Sequence, residues 1–574
     1  MVDLSTSLLA VRRRIAAAAL ALAAAACGDG APRPADLIIA GGPIYTGRTD
    51  APRVEAVAAR GGKIVFVGAA EAVQAFVGPE TRTIDLAATF GAGAALYPGF
   101  VDAHAHFDGI GMRETTLNLD DVASVAELVA RVAAVAAETP AGATIVGRGW
   151  IETGWPEGRM PTKEDLDAAA PDAPVVLGRA DGHAVVVNSA ALAAAGVGPD
   201  TPDPDGGRIE RGPDGAATGL LVDKAMAFVD GLTTAPSETE LRLIFAEADA
   251  VYTARGWTGI HNMSVDPDHA PLLETLSDEG AIKIRLYNAI ESDGLDALAA
   301  SGPRASENGR VVTRAVKLYV DGALGSRGAA LLAPYSDAPN TDGLLLLSRK
   351  DAAAAFDLAL RNGVQIAVHA IGDRGNVLVL KWYEDAFART DAADRAVAEP
   401  RWRIEHAQIV RPRDIPRFSA LGVIASMQPS HAIGDLHFAR ARLGDARLDG
   451  AYAWTSLTQS GALVAGGSDA PVERGDPLIE FYAAVARRDL KGFQGPDWRP
   501  EEALSREEAL ALFTKNAAYA AFEEDVAGTI EIGKRADFTA FSADIMTIPE
   551  AQIPEATAVL TVIDGEIVHQ AAAR

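Results

Sequence analysis

Tyr97-Pro-Gly-Phe-Val-Asp-Ala-His-Ala-His106 opens on a Pro-Gly break, continues as a short apolar run and ends on two histidines. Pro and Gly punctuate secondary structure, so a new buried strand begins just after them. Side chains alternate along a strand, which puts His104 and His106 on the same face. Two neutral imidazoles aimed the same way at the end of a strand can hold zinc or a similar ion. One buried histidine is more often a hydrogen-bonded core residue. The pair at this spacing points to a metal site.

Seven further short apolar runs follow the first. Taking it as 100–106, the set continues at 257–261, 282–290, 315–320, 364–369, 402–406, 423–428 and 463–467. Most of the gaps hold helix-like stretches, such as Lys350 to Arg361 and Ser237 to Arg255. Eight strand–helix units with buried strands predict an α/β fold, a closed (β/α)8 TIM-type barrel over 99–520. The gap from about 108 to 238 is too long for one crossover and carries strand-like runs of its own at 144–147 and 175–177, so it reads as an inserted subdomain over the barrel mouth. Further β-rich runs lie at 36–45 and 63–68 near one end of the chain, and at 536–541 and 558–568 near the other. They predict a small β-sandwich domain built from 36–98 and 525–572. An open doubly wound sheet is the competing fold, and no Gly-x-Gly-x-x-Gly turn follows the first strand to support it.

The remaining strands add chemistry at the same depth. His369 and His406 end the fifth and sixth runs, and Asp469 stands just past the eighth. In a barrel of this kind the C-terminal strand ends converge on one mouth. Each residue alone has an ordinary reading, His369 or His406 as a core histidine and Asp469 as a cap on a helix that Pro471 would start. Together they point to one site. Lys317 lies in Val316-Lys-Leu-Tyr-Val-Asp-Gly322, within an apolar run. A buried ammonium needs a partner. That partner is either a carboxylate such as Asp321, or carbon dioxide, which would turn the amine into an anionic carbamate able to bridge two metals.

Composition narrows the class. The 574 residues are 49% hydrophobic and 23% charged, as in globular proteins. The net charge of −26 disfavours nucleic acid and anionic membranes as partners. At the N-terminus, Arg12-Arg13-Arg14 precede an apolar run over 15–26 that is too short to span a bilayer and ends in small residues before Cys27. Residues 1–27 therefore read as a signal peptide, and Cys27 matches the lipidated cysteine of a bacterial lipoprotein signal. The expected location is the bacterial periplasm, free or lipid-anchored, and the anchor would be the only contact with a membrane. Cys27 is the only cysteine, so disulfides play no part.

The matching stretches extend beyond the first strand. They are Gly147-Arg-Gly-Trp150, Asp181-Gly-His-Ala184, Val316-Lys-Leu-Tyr-Val-Asp-Gly-Ala-Leu-Gly-Ser-Arg327, His369-Ala-Ile-Gly-Asp373, Arg403-Ile-Glu-His-Ala407, Gln428-Pro-Ser-His431 and Gly467-Ser-Asp469. With the His-x-His strand they resemble the amidohydrolase superfamily over nearly the whole mature chain, and within it the branch that includes N-substituted formamide deformylase. The resemblance implies two divalent ions, zinc foremost. His104, His106, Lys317 and Asp469 would hold one, and Lys317, His369 and His406 the other, with a carbamate on Lys317 and a hydroxide shared between them. Hydroxide would attack an amide-type carbonyl, and Asp469 would be the catalytic residue that carries the proton to the leaving nitrogen. Trp150, Asp181, His183, Arg327, Gln428 and His431 are the implied substrate contacts.

The function expected is an exported binuclear hydrolase of amide, formamide or N-acyl substrates, with a small molecule as partner and a homodimer as its assembly. A mononuclear deaminase of the same superfamily is the first alternative, and Lys317 argues against it. A catalytically silent binding protein would have lost a ligand, and none is missing. Ester or lactone hydrolysis completes the alternatives.

Overall fold

The computed structural model describes residues 32–573 apart from 141 and 234, so the leader and Cys27 lie outside the described residues. Eight parallel strands form the central sheet: β1 (Phe100–Ala105), β2 (Trp257–Val265), β3 (Arg285–Ile290), β4 (Val311–Tyr319), β5 (Gln365–Ala370), β6 (Arg403–His406), β7 (Ile424–Met427) and β8 (Val464–Gly466). Each is hydrogen-bonded to its sequence neighbours, from β1–β2 round to β7–β8. Just past its end, β8 meets β1. The Asp469 N–H donates to the His104 carbonyl at 2.6 Å, and the His106 N–H donates to the Ala470 carbonyl at 2.8 Å. The fold is thus the expected (β/α)8 type, nearly closed, with its seam at His104, His106 and Asp469.

Local sequence explains the helices between strands. Ser237 accepts from the Glu240 N–H while the Glu240 carboxylate accepts from the Ser237 N–H, a capping box that starts Glu238–Arg255, and Gly256 ends the helix at φ +102°. This helix packs against Phe107–Thr115, which follows β1 directly. Between these two helices stands a separate six-stranded sheet over Leu117–Asp223, with its own core of Leu128, Ile145, Trp150, Val175 and Val186.

The chain ends supply strands to another sheet. It combines Leu37–Tyr45, Arg53–Arg60, Lys63–Gly68, Arg82–Asp85 and Ala95–Pro98 with Phe538–Phe541, Ala558–Ile563 and Glu566–Gln570. All eight strands belong to one hydrogen-bonded set, which branches where Leu37–Tyr45 changes partner from Arg82–Asp85 to Ala95–Pro98. The branch falls at Gly41, where φ is +79° and a Cβ would come within 2.2 Å of Asp85. The single strand expected over 558–568 is in fact a hairpin. Asp564 and Gly565 both have positive φ, +51° and +75°, the backbone of a type I′ turn that an Asp-Gly pair favours. This sheet contacts the N-terminal ends of the barrel strands. Gly99 donates to Asp537, and Arg285 pairs with Asp537 and Asp564. The opposite face, where β1 ends, is left to the insertion and the site.

Candidate metal centre and substrate cavity

Four histidines at the strand ends share one design: an acceptor behind one ring nitrogen leaves a lone pair on the other. His104 Nδ1 donates to Glu405 at 2.6 Å, and His106 Nδ1 donates to the Met263 carbonyl at 3.0 Å. His369 Nε2 donates to the Gly322 carbonyl at 3.4 Å, and His406 Nδ1 donates to Gln428 Oε1 at 2.8 Å. None of these acceptors has a proton to give, so each sets the tautomer of its ring. The free nitrogens are Nε2 of His104, His106 and His406, and Nδ1 of His369. The rings crowd together, with His369 and His406 centred 4.5 Å apart and His104 and His406 4.8 Å apart. Burial holds the pKa of His369 and of His406 well below the ordinary value, with cationic neighbours adding to the effect. Burial likewise lowers His104, and Lys317 lowers it further.

Asp469 faces two of these lone pairs with the same oxygen. Oδ1 lies 2.9 Å from His106 Nε2 and 3.3 Å from His104 Nε2. An ionised oxygen and an imidazole lone pair 2.9 Å apart are both acceptors and need a cation between them. The donor set of two nitrogens and one carboxylate oxygen suits zinc. The residues present therefore fit a divalent ion at His104, His106 and Asp469. Asp469 and His406 both have left-handed backbones, φ +61° and +71°. Such strain is often held at functional positions.

Lys317, on β4, is 1% exposed. Its Nζ lies 3.2 Å from His104 Nε2, and among the described residues no carboxylate pairs with it. Asp321, the partner considered above, instead accepts from the backbone N–H groups of Ala330, Ile371 and Gly372. Burial drives the lysine pKa down. Buried without an ion-pair partner, the amine sits where its charged form is disfavoured and its neutral, nucleophilic form is favoured.

The centre opens into a cavity of about 1300 Å³ roofed by the insertion. Asp181, His183 and His431 line it. His183 Nδ1 donates to Asp223 at 2.7 Å, and its ring is 5.1 Å from that of His369. Burial opposes its charged form, but Asp223 outweighs burial and raises the pKa. His431 Nε2 is sealed from solvent without a hydrogen-bond partner, 3.6 Å from Asp469 Oδ2. Gln428 is placed differently, behind His406 as its acceptor. Two residues do not reach the cavity. Trp150 is fully buried in the core of the insertion, with its indole N–H on the Leu177 carbonyl, and Arg327 turns outward to Asp337 at 3.0 Å.

Comparison with known proteins identifies the lineage. A model of the amidohydrolase family matches residues 83–569. The chain belongs to the amidohydrolase family. It is 34% identical over 540 residues to a Bacillus subtilis (strain 168) protein named amidohydrolase YtcJ, covering 92% of this chain and 98% of that one. It is 27% identical over 559 residues to N-substituted formamide deformylase of Arthrobacter pascens, covering 93% and 98%. Among solved structures, an uncharacterized metal-dependent hydrolase from Pyrococcus furiosus aligns at TM-score 0.68 and 28% identity, covering 89% of this chain and all of that one. A metal-dependent hydrolase acting on C–N bonds is thus the general class of this amidohydrolase.

Sequence reading passed over two residues of the centre. Arg403 donates to Glu405 at 2.6 and 3.0 Å, to the Ala103 carbonyl, to Ser426 Oγ and to His261 Nδ1. Glu405 in turn receives His104. The signal was present: opposite charges two apart in an apolar strand face the same side and must be paired to be buried. His261, on β2, is engaged beneath the mouth by Arg403 at 2.8 Å.

Proposed function

We propose that this amidohydrolase is an exported binuclear hydrolase of amide-type C–N bonds, carrying Lys317 as a carbamate. The observation that carries the reading is Lys317 itself, fully buried and free of any carboxylate among the described residues. Its neutral amine adds to carbon dioxide through nitrogen and releases a proton, giving an anionic ligand where a lone cation would be costly. One ion would be held by His104, His106 and Asp469, the other by His369 and His406, with the carbamate shared. When bound, such a pair supplies Lewis acidity and lowers the pKa of water towards neutrality.

The chain itself supplies the proton handling. Asp469 stays ionised, and its Oδ2 is turned away from His104 and His106 towards His431. It is placed to take a proton from water and return it to the leaving nitrogen. His183, with its pKa raised by Asp223, presents a donor from the roof to the substrate carbonyl. A deaminase with one ion would leave Lys317 without a role.

The test is Lys317→Ala. The reading expects about two divalent ions per wild-type chain purified with bicarbonate, loss of metal and activity in the variant, and partial rescue by short carboxylic acids. Full metal content and activity in Lys317→Ala would overturn it.

A further inference from the structure

Arg148 belongs to the insertion strand Ile145–Trp150, which runs parallel to Val175–Arg179 and sets Arg148 opposite Gly178. The register slips between Arg148 and Trp150. At the slip, Gly149 has φ +109° and lies so close to Asp120 that a Cβ would come within 2.2 Å of its Oδ1. Alternation alone would put residues 148 and 150 on one face, and the slip sends them to opposite faces. Trp150 enters the core of the insertion, while Arg148 enters the cavity that also holds His106, Lys317 and Asp469. A Cβ on Gly109 would lie 3.3 Å from Arg148 Nη1 and 3.0 Å from Pro471 Cδ. The guanidinium and the turn that follows Asp469 thus both border Gly109, on the helix after β1.

In this position Arg148 makes no close ion pair, and Asp120, Asp108 and Asp469 act on it only from longer range. Nη2 donates to the Ala180 carbonyl at 3.3 Å, and Nε, sealed from solvent, has no partner. No carboxylate among the described residues lies within ion-pair distance of it. On the adjacent strand Arg179 is fully matched, with Glu152 at 2.9 and 3.1 Å and with Asp181. A guanidinium with idle donors in a walled cavity is costly unless an anion meets it, and its planar fork fits a carboxylate with two parallel hydrogen bonds. The same cavity has an apolar wall of Met112, Val122, Trp155, Ile433 and Phe438, which suits an acyl or aryl arm.

We infer that Arg148 docks a free carboxylate of the substrate, so that the substrates are amides bearing a carboxylate, the N-acyl amino acids and compounds shaped like them. This rests on the reading of the centre as a C–N hydrolase. The fork seats the carboxylate beside the Asp469 turn and so aligns the amide with the centre.

The test uses the metal-loaded full chain and a matched pair of substrates, N-benzoylglycine and its neutral isostere N-isobutylbenzamide. Wild type should prefer the acid. Arg148→Met should lower kcat/KM for the acid by about 100-fold and leave the neutral amide within about 3-fold, with Arg148→Lys between, since it keeps the charge without the fork. A second readout is calorimetric binding of 3-phenylpropionate at equal metal content, which should be lost in Arg148→Met. Parallel losses on both substrates, or unchanged 3-phenylpropionate binding in Arg148→Met, would overturn the inference. Lost binding with no turnover of either substrate by wild type would sink the hydrolase reading and leave the carboxylate site standing.

Discussion

Glu405→Gln separates the support of the metal centre from its ligands. Glu405 is 0% exposed and accepts three hydrogen bonds, from His104 at 2.6 Å and from Arg403 at 2.6 and 3.0 Å. An amide of the same shape keeps one oxygen acceptor but places an NH2 group against donors. It also removes the only carboxylate among the described residues that pairs with Arg403. The guanidinium would be left with Ala103, Ser426 and His261, all neutral acceptors. Removing one partner of a buried ion pair costs about 3–5 kcal/mol. Loss of the oriented acceptor behind a metal-binding histidine lowers metal affinity by about 10–100-fold. The expected outcome is a Tm several degrees lower by scanning calorimetry, and a weaker zinc affinity by chelator competition. Ser426→Ala removes one neutral acceptor from Arg403, and its expected cost is only about 1 kcal/mol. Wild-type Tm and wild-type zinc affinity in Glu405→Gln would refute the argument that this pair sets the His104 tautomer.

Two further outcomes are expected. Glu480 is 1% exposed and accepts from the Ser430 N–H, and burial pushes its pKa well above the ordinary 4.5. Its folded pKa is raised, so its contribution is complete below pH ~4.5 and is lost as pH rises towards the folded value. Glu480→Gln should therefore gain stability relative to wild type between pH 5 and pH 8, and a Tm gap that stays constant over that range would contradict this. Labelled fatty acid should enter the protein through Cys27 in a bacterial host and should fail to enter Cys27→Ser, so labelling of both forms would dismiss the lipoprotein reading.

The barrel was legible because its strands are short apolar runs, most of them separated by helix-like stretches, and burial on both faces leaves that trace in any parallel sheet. Within it, His104, His106, Lys317 and His369 follow from alternation. Lys317, for instance, shares its face with Thr313 and Ala315, and His369 shares its face with Gln365. Trp150 and Arg327 were misplaced for a backbone reason. A register slip at Gly149 reverses the face of Trp150, and a φ of +62° helps turn Arg327 outward. The hairpin at Asp564–Gly565 was hidden by the unbroken β-branched run on either side of it.

His406 shows why a ligand can be found by position and still not be explained by pattern. Arg403 and Glu405 face the barrel interior, so strict alternation would turn His406 outward. Its φ of +71°, followed by +42° at Ala407, turns the ring back into the mouth, where Gln428 receives Nδ1. Asp469 reaches the same centre from a φ of +61°, held by its own N–H on the His104 carbonyl. Two candidate ligands thus depend on backbone that L-residues seldom adopt, and both are anchored by a hydrogen bond to a neighbouring strand or the residue just beyond one. The alternating residues supply part of each candidate donor set and the strained ones complete it. That is why His104 and His106 alone indicate a metal, while the full donor set appears only once the barrel is closed.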